Sequence, residues 1–123
     1  MRHPLFASAA LLATTSLANT HVVDIQWSGD GRFAHQLTVA AGKFVEVCGT
    51  LPAGLQVRWD FQAGAPLDFN VHYHVGQEVW FPARLSAVAT AGDKLDVKIE
   101  QDYCWKWTNK SAQTTALRVE LRR

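Results

Sequence analysis

The sequence lacks any apolar run long enough to span a bilayer. The candidate nearest to one, Leu5 to Ala13, is too short for a membrane helix. It follows a short basic start and precedes Ser16-Leu17-Ala18, a segment with small residues of the kind found at a signal-peptidase cut. We therefore expect residues 1–18 to be a signal peptide. Residues 19–123 should form a single exported domain, periplasmic or secreted, with no membrane span.

A surplus of charge of one sign is also missing. The chain has 12 lysines and arginines against 11 aspartates and glutamates, and the two signs are interspersed along it without blocks. Proteins that bind nucleic acid concentrate positive charge in a patch or a stripe. The sequence therefore predicts no nucleic-acid partner.

Sulfur-containing residues are few. Cys48 and Cys104 are the only cysteines, and in an exported chain a pair so far apart favours a disulfide over a metal site. The single methionine, Met1, would leave with the signal peptide. A blue-copper centre combines a free cysteine with histidines and a methionine, so the sequence excludes that kind of site.

Patterns that indicate catalysis are missing as well. No nucleophile-elbow motif occurs, and both cysteines are expected to be consumed by one disulfide. Carboxylates such as Asp60, Asp68, Glu100 and Asp102 could pair as acid and base, but acidic residues on the outer face of a sheet are usually just solvated. We therefore predict that the protein is not an enzyme.

Alternation of apolar and polar residues is what the sequence has in abundance. The stretch LDFNVHYHV, Leu67 to Val75, places its apolar and tyrosine side chains on one side and Asp68, Asn70, His72 and His74 on the other. Similar runs, separated by the turn sequences SGDGR, AGAP and AGDK, predict roughly eight to ten short strands. The pattern predicts an all-β fold, an antiparallel β-sandwich of jelly-roll type in a single domain.

Three stretches follow one another between Val45 and Leu121, namely VEVCGTLPAG, LDFNVHYHVG and DYCWKWTNKSAQTTALRVEL. In their order and content they make the chain resemble the GOLD (Golgi dynamics) domain, a β-sandwich of the lumenal part of early secretory pathway cargo receptors. The resemblance implies a β-sandwich and a Cys48–Cys104 disulfide that joins it. It also implies a non-catalytic role in binding a protein or a lipid.

The candidate ligand-binding residues share one polar strand face or lie near predicted strand ends, and they are Asp68, Asn70, His72, His74, Trp80 and Trp107. Trp59 and Trp105 are instead expected in the core, given the apolar area that an indole buries. We predict an exported binding module that needs no cofactor. Its partner is an unidentified protein or small ligand.

Histidines support an alternative function. His72 and His74 form a His-x-His pair, a recurrent two-ligand unit for copper or zinc. A cut after Ala18 would leave Asn19-Thr20-His21 at the amino terminus, whose amine, two amides and imidazole can wrap Cu(II) in a square plane. The alternative is therefore a periplasmic copper protein with metal ligands His21, His72 and His74. The plainer interpretation of the pair is a solvated strand face with two exposed imidazoles.

Overall fold

A computed structural model describes residues 21–123, and the predicted signal peptide lies outside the described residues. The described chain forms seven strands, which are β1 (Val22–Asp24), β2 (Arg32–Val39), β3 (Phe44–Leu51), β4 (Gln56–Val75), β5 (Glu78–Asp96), β6 (Gln101–Thr108) and β7 (Thr115–Arg122). No helix within residues 21–123 has the length and apolar character needed to cross a bilayer.

The long strand β4 organises the sheet. The strand order is β1-β3-β6-β4-β7-β2, with β5 paired to β4. Residues 58–63 of β4 pair with β7 and residues 68–72 pair with β6, so β4 belongs to both halves of one curled sheet. All pairings are antiparallel except the short pair β1–β3. The predicted single-domain, antiparallel β-sandwich is confirmed.

The number of strands is smaller than expected, because two predicted turns lie inside strands. AGAP falls within β4 and AGDK falls within β5. The pairing of β4 with β5 shifts register between Gln62 and Leu67, so the first of these segments bends the strand without reversing it. In AGDK, a Cβ on Gly92 would lie 3.2 Å from Cβ of Asp60. Glycine occurs there because β4 approaches the backbone closely.

Side chains that face inwards from both halves build one apolar core. Trp59, Phe61, Phe69 and Trp107 pack ring against ring there, with centroid separations between 4.8 and 6.3 Å. Trp105 is fully buried as well, so the core positions predicted for Trp59 and Trp105 are confirmed. Burial of these large rings is a major source of apolar stabilisation in so small a domain.

The disulfide Cys48–Cys104 is present, as predicted. The two cysteines are register partners on the adjacent strands β3 and β6. The bond therefore joins neighbouring strands of one half of the sandwich and does not cross the core between the halves. It lies on the outer side of the sheet, because the residues next to it, Val47 and Trp105, are the ones that point into the core.

Candidate functional site

The polar side of the second part of β4 is called the histidine face here, and it consists of Asp68, Asn70, His72 and His74. The opposite side of the same segment is buried at Leu67, Phe69 and Val71. The alternation predicted for LDFNVHYHV is therefore present in the structure. Strands β3 and β6 extend the histidine face on one flank, and β5 extends it on the other.

Asp68 contacts Ala87 and Lys110 and is not part of the histidine contacts. Its carboxylate accepts a hydrogen bond of 2.9 Å from the backbone N–H of Ala87 and pairs with Lys110 at 2.7 Å. The hydrogen bond from Lys110 and the Ala87 amide lower the pKa of Asp68. Ala87 has a φ of 51°, a left-handed conformation that is uncommon for alanine. Asp68 thus anchors an irregular point of β5.

His72 is the best-fixed residue of the histidine face. Its Nδ1–H donates a hydrogen bond of 2.7 Å to Oδ1 of Asn70, and its Nε2 lies 3.4 Å from Oε1 of Glu46. The residue is only 6% exposed. The interpretation of two solvated imidazoles is therefore wrong for His72. Cys104 on β6 is its register partner, and the ring of Phe81 on β5 lies 6.1 Å from it between centroids. Neither neighbour is visible in the sequence of one strand.

Burial governs the protonation of His72. Desolvation lowers its pKa, the nearby carboxylate of Glu46 acts in the opposite direction, and the charges of His74 and Lys106 lower it further. Nε2, the ring nitrogen that does not contact Asn70, faces the carboxylate of Glu46. The outer face therefore has two possible metal-ligand atoms facing each other beside the disulfide.

His74 differs from its neighbour. It is exposed, and its ring stands nearly perpendicular to that of His72, with centroids 5.3 Å apart. The structure thus brings together Asn70, His72 and His74 of the predicted site. It adds Glu46 and Cys104, whose ligand atoms lie within 4.8 Å of one another and of His72.

The predicted amino-terminal copper site is only partly described. The ring of His21 packs edge-on against Phe44 with centroids 5.2 Å apart, and its backbone carbonyl accepts a hydrogen bond of 2.6 Å from the N–H of Glu46. Asn19 and Thr20 lie outside the described residues. The four-nitrogen site at this terminus stays a prediction.

A second surface feature is the apolar edge, defined by Val79, Trp80, Phe81 and Leu85 of β5. All four side chains are exposed. Within residues 21–123, β5 pairs only with β4, so its other edge has no strand partner. Residues 73–80 also extend past the last β6 pairing, at His72, and form a two-stranded hairpin tip around the turn Gly76-Gln77.

The two aromatic side chains of the apolar edge each contact a neighbouring side chain of the same domain. Trp80 is 52% exposed and stacks on Tyr73 with an interplanar angle of 7°. Tyr73 in turn contacts the buried Tyr103, with centroids 5.0 Å apart. The guanidinium of Arg84 lies 3.7 Å from the ring centroid of Phe81. An exposed ring that is fixed in this way loses little conformational freedom when it binds a partner.

The two tryptophans predicted to contact a ligand have different positions. Trp80 lies on the apolar edge and is available. Trp107 is fully buried among Phe61 and Phe69, which corrects the expectation of an accessible ring near a strand end. Trp107 is buried although it lies near the end of β6. Strand β4 continues alongside that end, and its Phe69 is the register partner of Trp107.

Comparison with known proteins identifies no family. No family model matches the chain, and no curated protein matches it. The resemblance to the GOLD domain is therefore unconfirmed.

Solved structures do share the fold. Aeromonas hydrophila PliG, a periplasmic lysozyme inhibitor of g-type lysozyme, has 13% sequence identity and a TM-score of 0.57, covering 82% of this chain and 94% of its own. The Yersinia pseudotuberculosis-derived mitogen has 13% identity and a TM-score of 0.59, covering 76% of this chain and 86% of its own. The pre-peptidase C-terminal domain of a Bacillus anthracis collagenase has 10% identity and a TM-score of 0.56, covering 80% of this chain and 93% of its own. At such identities the likeness shows the fold alone.

Proposed function

We propose that the chain is an exported, non-catalytic binding module that binds a protein partner through the apolar edge of β5. The observation that carries the proposal is the row of exposed apolar side chains on a strand edge that has no partner within residues 21–123. Tryptophan, phenylalanine and arginine are enriched at protein interfaces, and Trp80, Phe81 and Arg84 occur together here.

The form of the hairpin tip favours insertion into a cleft of the partner. Val79 pairs with His74 and therefore faces the outer side, whereas Trp80 pairs with Tyr73 and faces the other side. Both sides of the tip are thus apolar. Pro82 lacks an N–H donor, which interrupts the free edge and disfavours the addition of a continuous strand. The partner would recognise the side chains of the tip and not its backbone. We expect the partner to have an apolar cleft with a carboxylate at its rim that pairs with Arg84.

The structural neighbours agree with such a role. PliG, a β-sandwich of the same fold, is a periplasmic inhibitor of g-type lysozyme and so acts on a protein. That likeness supports a protein partner for this chain and export to the same kind of compartment. It does not identify the partner, because one fold hosts many functions.

Site-specific cross-linking tests the proposal. A photoactivatable residue replaces Trp80 in the chain, in the cells that produce it. The matched control carries the same residue at Val22, an exposed position on the edge strand β1. We expect one defined adduct with another protein at position 80 and none at position 22. Equal adducts at both positions, or no adduct at position 80, would contradict the proposal.

Copper binding is the second candidate function, and the observation that favours it is the contact between the rings of His72 and His74. Asn70 occupies Nδ1 of His72, so such a site would use Nε2 together with the exposed ring of His74. Titration of Cu(II) into wild type, His21→Ala and a His72→Ala/His74→Ala double variant tests it. Identical titration curves for all three proteins would remove both predicted copper sites.

A further inference from the structure

The outer face of the sandwich contains a cluster of side chains that could bind a metal ion. Two of its possible ligand atoms are the sulfurs of the Cys48–Cys104 disulfide. Cys48, Cys104 and His72 lie in one cross-strand row, because Cys104 is the register partner of both. Glu46 reaches into this row from β3. One ligand atom each from Glu46, His72 and Cys104 lies within 4.8 Å of the others, and Cys48 is covalently bonded to Cys104. Three donors of different kinds therefore lie close together, and the Sγ of Cys48 is bonded to one of them.

The spacing of one donor pair fits a tetrahedral ion. Zinc bonds of about 2.0 to 2.3 Å place neighbouring ligand atoms about 3.3 to 3.8 Å apart. The distance from Nε2 of His72 to Oε1 of Glu46 is 3.4 Å. Two of the four donors already have the separation that such an ion requires.

The orientation of His72 is also that of a metal ligand. In metal sites a ligating histidine commonly donates its second ring N–H to a carbonyl or carboxylate oxygen, which fixes the tautomer and the ring plane. Here Nδ1–H donates to Oδ1 of Asn70, and Nε2 points to Glu46. The ring is buried, so its direction is fixed before any ion arrives.

We propose that reduction of the Cys48–Cys104 disulfide opens a tetrahedral site for a Zn²⁺-like cation, with Cys48, Cys104, His72 and Glu46 as ligands. A dithiol reductant attacks the bond, forms a mixed disulfide and leaves as its own disulfide. The protein gains two electrons and two protons, as two thiols. The cation then displaces both thiol protons to water and binds the two thiolates.

The position of the bond permits this reaction. Both cysteines are only partly buried on the outer face, so a reductant reaches the sulfurs without opening the core. The site is separate from the apolar edge in its ligands, and its existence does not depend on the proposed protein partner. The chain would thus exchange a covalent cross-link between β3 and β6 for a metal cross-link between β3, β6 and β4.

Cobalt absorption tests the site directly. The untagged exported chain is reduced with a phosphine, Co²⁺ is added as a spectroscopic substitute for Zn²⁺, and thiolate-to-cobalt and tetrahedral d–d bands are recorded with circular dichroism on the same sample. We expect one equivalent of tetrahedral Co²⁺ in the reduced, folded protein and none in the oxidised protein. Zn²⁺ should displace it.

Variants separate this site from unspecific binding by thiols. Glu46→Gln and His72→Asn should each weaken Co²⁺ binding at least tenfold, and Asn70→Ala, which frees the His72 ring, about 10- to 100-fold. The matched control Glu120→Gln should change the affinity less than twofold. The proposal is overturned if Glu46→Gln and His72→Asn bind as wild type does, if no tetrahedral bands form, or if the reduced chain is unfolded with Co²⁺ present.

Discussion

Glu46 and His72 lie 3.4 Å apart, Oε1 to Nε2, although β6 separates their strands. The two side chains meet above the disulfide-bonded Cys104, on the outer face of the sandwich. Asn70 fixes the other nitrogen of the ring. The outer face of this half therefore has a small polar centre of its own, and His72 is its buried member.

The burial of His72 predicts a loss of stability on truncation. His72→Ala should lower the free energy of unfolding by about 1 to 3 kcal/mol, because the Asn70 amide loses its hydrogen-bond donor and a buried ring is removed. His74→Ala is the matched control and should change it by about 0.5 kcal/mol or less, since His74 is exposed. Urea denaturation measures both values. Equal effects at the two positions would contradict the structural distinction between them.

The sequence was sufficient to predict the two sides of β4 but not the surroundings of each side. Alternation alone shows that His72 points away from Phe69 and Val71. Whether an outward side chain is solvated depends on what the neighbouring strands place beside it, and the order β3-β6-β4 cannot be obtained from one strand. Sequence reasoning did not include Glu46 in the candidate site. The alternation in VEVCG places Glu46 on the same face of β3 as Cys48, and this pattern could have indicated it.

Turn sequences show a similar limit. AGAP and AGDK contain the residues of chain reversals, yet both lie within long strands. Glycine permits a bulge or a close approach of strands as readily as a turn, so local composition does not distinguish a bend from a reversal. The fold class was predictable because it depends on the two-residue alternation of apolar and polar side chains, whereas the strand count depends on tertiary pairing.

The inward side of β4 predicts a large effect at Phe69. The ring contacts Trp59, Phe61 and Trp107 and is 1% exposed. Phe69→Ala should lower the free energy of unfolding by roughly 3 to 5 kcal/mol through lost apolar burial and the cavity left behind. Phe81→Ala, at an exposed ring, should cost less than about 1 kcal/mol. A small effect at Phe69, measured by urea denaturation, would mean that the described core is wrong.

The disulfide should contribute substantially to stability. It closes a loop with a sequence separation of 56, for which the chain-entropy estimate is about 4 kcal/mol. A Cys48→Ser/Cys104→Ser variant should unfold at a much lower urea concentration than wild type. Thiol titration of the native exported protein should give no free thiol. Stoichiometric free thiols without added reductant would contradict the bond.

Acid should remove the contribution of the Asp68 carboxylate to the free energy of unfolding. Lys110 and the amide of Ala87 lower its pKa in the folded chain below the value in the unfolded chain. The stabilisation is therefore complete above the unfolded pKa of about 3.9 and is lost as the pH falls through the folded pKa. Wild type should be more stable than Asp68→Asn at neutral pH, and the difference should shrink below about pH 4. A difference that does not change with pH would contradict this account of the carboxylate.

The proposed function depends most on the apolar edge as a binding surface, and Trp80 is the most exposed aromatic residue of that edge. Once the cross-linked partner is purified, calorimetric titration with wild type, Trp80→Ala and Val22→Ala measures the contribution of the edge. We predict that Trp80→Ala weakens binding about 30-fold or more, as expected for a central aromatic contact, and that Val22→Ala changes it less than twofold. Circular dichroism should show that both variants remain folded. Affinities within twofold of wild type for Trp80→Ala would contradict a binding site on β5.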